Sequence, residues 1–437
     1  MSAHHVMVFA LLAAGVVGLR AHAAVLPAGT GQMAVRVEAG DYTVAGRTVS
    51  VSDDAVLAVD PPDTSAVVAE RHILSDETPG SYKGGTSLAL TLGPVDKNTR
   101  LPYVIVPDSV RVYSAGEPTV VYSENTDYTL GHIWGGMSRV PSGRIPDQCP
   151  VLVDYEVYLQ RMDTVQISSD GKAAIKKGLP VPVCPQAPGP DDGYTAIANL
   201  YIPYRAVEIT QDSIYPLPQT DTSWRDCITV SGTERVRRVV SSLKSGDRVT
   251  VVCWGDSVTV GASASSPEKS YVGLLRSRLQ AAYPKAQIDV INAGIGGSNT
   301  DSRRDGYNEE VLSHNPDLIT VEFVNDLGKT PDQIKANYAE FITQARRRNP
   351  EVEFIILTPH FVMPDWMGNY ANSVAAMRRA ATDNNVALGD AGRIWESLRK
   401  LGIPYEALLA NAINHPNGLG HEFYADTLMA VLAGADR

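Results

Sequence analysis

Ser257 stands at the end of the run Arg248-Val-Thr-Val-Val-Cys-Trp254 and is reached through Gly255-Asp256. A run so rich in apolar and β-branched residues reads as a buried strand of a parallel sheet, and α/β folds keep their chemistry at the carboxyl edge of such sheets. A serine at the strand-to-helix turn presents its hydroxyl and its backbone N–H to that edge. The hydroxyl is a poor nucleophile until a base removes its proton, and an acyl-transfer intermediate needs hydrogen-bond donors aimed at its oxyanion. Downstream, Gly297 and Asn325 each stand after a short apolar run, and His415 lies in a loop before the last helix. Taken singly, each has an ordinary structural reading, as helix cap, loop glycine, turn former or loop histidine.

In order, these residues fall in blocks that resemble those of the SGNH (GDSL-type) hydrolases. The serine block is Gly255-Asp256-Ser257-Val258-Thr259, and Asn292-Ala-Gly294-Ile-Gly-Gly297 matches the family's N-x-G-x-x-G. Phe323-Val324-Asn325-Asp326 is the asparagine block, with Phe323 where the family usually has glycine. His415 lies in Asn414-His415-Pro416-Asn417, followed by Gly420-His421, and the acid usual three residues before the histidine is replaced by Ala412. All four blocks lie within residues 248–437.

The resemblance implies that Ser257 attacks an ester carbonyl while His415 serves as base and then acid. It implies an oxyanion hole made of the Ser257 and Gly297 N–H groups and the Asn325 side-chain amide. Without an acid at position 412, Asn411 or a main-chain oxygen is expected to position His415. Asp390, just past the fifth strand, is the rival acid. His421 reads as a support of the site, His360 and Asp365 as candidates to line the cleft, and Trp254 and Trp366 equally as cleft walls or as core.

Composition bounds the alternatives. At 437 residues, two or three domains are expected, and a hydrophobic fraction of 44% fills sizeable cores. The net charge of -11, with acids scattered, disfavours nucleic acid and anionic membranes as partners. No histidine pair has helical i, i+4 spacing, no carboxylate set has calcium-loop spacing and there is no P-loop, so neither metal nor cofactor is expected. Val6–Leu19 followed by Ala21-His22-Ala23 reads as a signal peptide, which predicts export to a periplasmic or extracellular compartment. No later stretch is long and apolar enough to span a bilayer. Cys149 and Cys184, in the same half of the chain, are expected to pair, whereas Cys253 reads as a small buried hydrophobe.

The elements divide the chain in two. Residues 1–23 are the leader and 24–212 a β-rich, sandwich-like region, in which short runs such as Met33–Val37, Thr48–Val51, Ser87–Leu92, Tyr103–Val106, Val110–Tyr113 and Val151–Tyr158 alternate with turn residues. Its aromatics, Trp134 among them, read as core and cross-strand pairs rather than as a sugar platform. Residues 213–240 read as linker and short helix. Over 241–437 strands alternate with helices, which predicts a three-layer α/β/α sandwich with a five-stranded parallel sheet. The expected activity is serine ester hydrolysis, most readily of O-acetyl groups on carbohydrate, with a lipid or general carboxylesterase as one alternative and a catalytically weak carbohydrate-binding or scaffolding protein as another.

Overall fold

The computed structural model describes residues 23–80, 82–88 and 100–435. The leader lies outside the described residues apart from Ala23, as does most of the run Ser87–Leu92. Among the described residues no helix is long and apolar enough to cross a membrane.

The carboxyl-terminal half is built on one sheet of six strands: β1 (Val230–Ser231), β2 (Arg248–Gly255), β3 (Gln287–Gly294), β4 (Leu318–Glu322), β5 (Glu353–Leu357) and β6 (Ala387–Gly389). Their spatial order is β1-β6-β5-β4-β2-β3. Strands β2 to β6 run parallel, as expected, and β1 adds an antiparallel edge through Val230 opposite Gly389. Alternate residues of β2 face opposite sides. Val251 and Cys253 join the core under helices α1 (Arg237–Ser245), α3 (Tyr271–Ala282) and α6 (Gly418–Gly434). Val252 and Trp254 join the core under α4 (Pro331–Arg348) and α5 (Tyr370–Asp383). This is the predicted three-layer sandwich, with β2 apolar on both faces because helices cover both.

Strand order also sets where a site can form. The chain leaves β2 for β3 on one side and returns to β4 on the other. The carboxyl ends of β2 and β4 therefore flank a topological switch point, where loops diverge and leave a crevice. Ser257 follows β2 and Asn325 follows β4.

The amino-terminal half is antiparallel β throughout its sheets, including a four-stranded sheet around Pro150–Tyr158 and another around Arg161–Ser168. Two separate cores lie within it. Tyr103–Val106 is not a strand: only Ile105 makes a bridge, to Val157, and Tyr103 has a positive φ of 61°. Arg161–Ser168, by contrast, is a strand buried along nearly its whole length, with Arg161 paired to Asp163 at 2.7 Å inside it. The segment 213–240 is woven into both halves. Ile214–Pro216 completes the second four-stranded sheet, Trp224 packs on Phe423 with ring centroids 4.7 Å apart, and Val230–Ser231 is β1. The Cys149–Cys184 bond expected from sequence is not present. Cys149 is exposed with a free thiol, whereas the Cys184 thiol is turned toward Asn417 and pushed up to about 11 by burial.

Candidate active site

Gly255 ends β2 because a side chain would not fit there: a Cβ would lie 2.2 Å from the Glu322 carbonyl oxygen and 2.0 Å from Thr259 Oγ1. This crowding turns the chain sharply into α2 (Ser257–Val260), with Asp256 as N-cap accepting the Val258 N–H at 3.0 Å. Ser257 is then the first residue of the helical turn, and its side chain faces the edge of the sheet. The other Asp256 oxygen, Oδ2, accepts the Asn325 N–H at 2.9 Å, so one carboxyl joins the loop after β2 to the loop after β4. Across the gap, His415 Nε2 lies 3.0 Å from Ser257 Oγ. Ser257 is 7% exposed and His415 9%, so the pair sits at the floor of the crevice rather than in open solvent.

The glycine loop runs beside the serine. A Cβ on Gly296 would lie 4.0 Å from Ser257 Cβ, and Gly297 has a φ of 72°, a conformation that side chains oppose, with open space around its Cα. Asn325 donates from Nδ2 to the Ser298 carbonyl at 2.9 Å and receives the Asn414 amide on Oδ1 at 3.4 Å. Arg303, which no motif singled out, binds the backbone carbonyls of Gly255 at 2.8 Å and Ala293 at 2.9 Å, locking the ends of β2 and β3 together.

His415 rides on a loop held from two sides. Asn411 is buried, and its Oδ1 accepts the N–H groups of Ile413, Asn414 and His415, each at 2.9 Å. Asn411 therefore fixes the backbone that carries the imidazole. Ala412 lies in the left-handed region, with φ 54°, which lets the chain fold back around that one oxygen. From the other side, His360 Nε2 donates to the Asn414 carbonyl at 2.8 Å, and His360 Nδ1 receives the Tyr424 hydroxyl at 2.9 Å. Burial pushes His360 down to about 3, so the ring is neutral and its tautomer is set by these two partners. His421 is likewise buried and pushed down to about 4 by burial; it accepts the Tyr271 N–H and donates to the Ala262 carbonyl at 3.2 Å, behind the serine turn.

Other sequence candidates are placed elsewhere. Asp390 is buried with Thr358 Oγ1 at 2.8 Å and Arg378 Nε at 2.8 Å, so its carboxylate serves that cluster and not His415. Trp254 is not a cleft wall: it is 1% exposed, between Tyr307, Phe323 and Phe341. Phe323 thus replaces the usual glycine to fill that aromatic core. His360 is fully buried behind the histidine loop. Asp365 and Trp366 do reach the cleft, a space of about 500 Å³ that begins at Asn325 and Asn414 and is also lined by Val362 and Asn369. Behind Asp365 a second cavity of about 340 Å³ lies between the two halves, lined by Tyr103, Tyr201, Tyr204, Glu406 and Ala412.

Beneath the serine turn lie three buried carboxyls, Asp256, Glu322 and Asp326. Glu322 accepts from Thr259 Oγ1 at 3.0 Å, and Asp326 Oδ1 accepts the N–H and the hydroxyl of Thr300, each at 3.0 Å. Burial raises all three: Asp256 to about 7, Asp326 to about 6, and Glu322 well above the usual carboxylate range. Glu322 is pushed up by burial and by the neighbouring Asp256 carboxyl, both of which oppose its ionisation. A sequence signal existed, an acid inside the otherwise apolar run Leu318–Phe323, but only the fold shows that it faces Asp256.

Residues 253–423 match the GDSL-like Lipase/Acylhydrolase family. An acetylxylan esterase from Geobacillus stearothermophilus is 26% identical over 210 residues, which cover 41% of this chain and 91% of that protein. Among solved structures, a two-domain esterase active on acetylated mannans is 22% identical, with a TM-score of 0.42, over 47% of this chain and 57% of that one. The structure of an acetyl xylan esterase from Geobacillus stearothermophilus is 21% identical, with a TM-score of 0.37, over 42% of this chain and 94% of that one. Residues 253–423, with their serine turn, glycine loop, asparagine loop and histidine loop gathered at one sheet edge, belong to the GDSL-like lipase/acylhydrolase family and form a carboxylic ester hydrolase domain.

Proposed function

We propose that the protein removes O-acetyl groups from carbohydrate by serine catalysis and that it acts after export. The observation that carries the reading is the 3.0 Å contact between Ser257 Oγ and His415 Nε2 at the switch point of the sheet. His415 takes the Ser257 proton as Oγ bonds to the ester carbonyl carbon, and the carbonyl oxygen becomes an oxyanion. The N–H groups of Ser257 and Gly297 and the second Asn325 amide hydrogen stabilise that charge. His415 then gives its proton to the departing sugar oxygen, and the acyl–oxygen bond breaks to leave an acetyl-serine. Water, deprotonated by the same imidazole, attacks the acetyl-serine; acetate leaves and Ser257 recovers its proton.

Asn411 and His360 place His415 through its backbone, which supplies the orientation that an acid at position 412 would give. The carbohydrate part rests on the acetylxylan esterase relative and on the cleft, which carries amides and an aromatic ring but no long apolar groove. Hydrolysis of sugar acetates and of 4-nitrophenyl esters of increasing chain length tests it. Acetates are expected to turn over fastest. A preference for eight-carbon or longer acyl groups would overturn the carbohydrate reading while leaving ester hydrolysis standing.

A further inference from the structure

The rim of the cleft meets the amino-terminal half of the chain. Trp366, on the loop after β5, is 42% exposed at its rim. Its ring lies 6.4 Å from that of Trp134, which comes from the amino-terminal half and is half-buried. Tyr82 packs behind Trp134 at 5.9 Å. Beside this row, the Tyr103 hydroxyl donates to Asp365 at 2.7 Å, a second link from the same half to the same loop.

The cleft lining limits what can be bound. It holds Asn325, Asn369 and Asn414, one carboxylate from Asp365, the ring of Trp366 and no lysine or arginine. Such a surface offers nothing to neutralise an anionic polymer or a lipid phosphate. Amides beside flat rings suit a neutral sugar, whose C–H faces pack on aromatics while its hydroxyls meet amide groups. The two indoles are spaced by about the length of one sugar unit and tilted by 44°, which fits successive units of a twisted chain better than one flat ligand.

We propose that Trp366 and Trp134 form successive subsites for a neutral, acetylated glycan chain, so that the β-rich half supplies the outer part of the substrate site. The inference rests on the ester hydrolase reading above and goes beyond it by giving the amino-terminal half a role in substrate choice. Only chains long enough to reach from Ser257 to Trp134 gain from that half.

The test compares kcat/KM for 4-nitrophenyl acetate, acetylated xylobiose and acetylated xylohexaose or mannohexaose in the wild type, Trp134→Ala and Trp134→Phe. Trp134→Ala is expected to lower the hexasaccharide value about tenfold more than the 4-nitrophenyl acetate or disaccharide values, the loss of roughly one aromatic contact. Trp134→Phe is expected to recover most of that difference. Equal losses on all substrates with a lowered melting temperature would make Trp134 a packing residue and overturn the proposal, as would a hexasaccharide value no better than that of the disaccharide in the wild type. A wild type inert on 4-nitrophenyl acetate and on every saccharide would overturn the ester hydrolase reading itself.

Discussion

Ser257 and His415 make a single contact, and the chemistry proposed for them depends on it. Replacing either by alanine is expected to lower kcat on 4-nitrophenyl acetate by several orders of magnitude, as when members of a catalytic unit are removed. Asn325→Ala is expected to cost about 10²–10³, the usual effect of one oxyanion donor. A fall of less than tenfold would remove Asn325 from the oxyanion hole. Asn411 allows a sharper test, because its Oδ1 gathers three backbone N–H groups of the histidine loop. Asn411→Ala leaves those donors without an acceptor and shifts His415, with an expected loss of about 10²-fold in kcat. Asn411→Asp keeps the acceptor and should retain most activity. Asp390→Asn should cost far less kcat than His415→Ala, since Asp390 serves Thr358 and Arg378. A collapse equal to that of His415→Ala would restore Asp390 as the orienting acid.

At the level of elements, the serine turn, β4 and the asparagine loop meet through buried carboxyls, and this makes their stability depend on pH. Asp326 is raised by burial to about 6, above its value in an unfolded chain, so the folded state holds the proton more tightly. Its contribution is fully present below about pH 4 and is lost as pH rises through about 6, at a cost of up to about 3 kcal/mol. Asp326→Asn keeps the oxygen that accepts from Thr300 and removes the ionisation. Its melting temperature is therefore expected to rise relative to wild type between pH 4.5 and 7.5; a constant difference would mean that Asp326 is not raised. His421 has the opposite sign. It is held down to about 4, so its contribution is present above about pH 6.5 and is lost as pH falls through about 4. His421→Gln should therefore narrow its melting-temperature gap to wild type on acidification over that range.

For the molecule as a whole, the two halves share more than a tether. Tyr103 bonds to Asp365, Asn199 Nδ2 donates to the Gly402 carbonyl at 2.8 Å, and Tyr201 and Tyr215 pack with Ala407. The segment before α1 belongs to the hydrolase half through Trp224 on Phe423, Arg225 with Asp426 and β1 on β6. A protein beginning at Ser223 is therefore expected to melt higher than one beginning at Thr233, by about 2–4 °C for each kcal/mol that these contacts contribute. Both should cleave 4-nitrophenyl acetate, since Ser257, Gly297, Asn325 and His415 lie downstream. If both fold by circular dichroism yet neither cleaves it, the amino-terminal half must complete the site itself.

The four blocks were legible in the sequence because each stands at the end of a strand or loop whose local chemistry is short-range. An apolar run, a small residue at the turn and a cap are enough to place Ser257, Gly297 and Asn325 at one sheet edge. The α/β/α class followed from the same rhythm of strands and helices. The amino-terminal strands were only partly legible, since a strand such as Arg161–Ser168 buries polar pairs, Arg161 with Asp163, and shifts register between Val165 and Gln166. Tertiary structure alone decided what holds His415, because Asn411, His360 and Tyr424 meet there only through the packing of α6 on the loop after β5. It also set Asp390 apart from His415, left Cys184 unbonded and buried Trp254, while bringing Trp134 beside Trp366 from 232 positions away. Long-range contacts of this kind depend on which faces pack together, and spacing along a single chain does not carry that information.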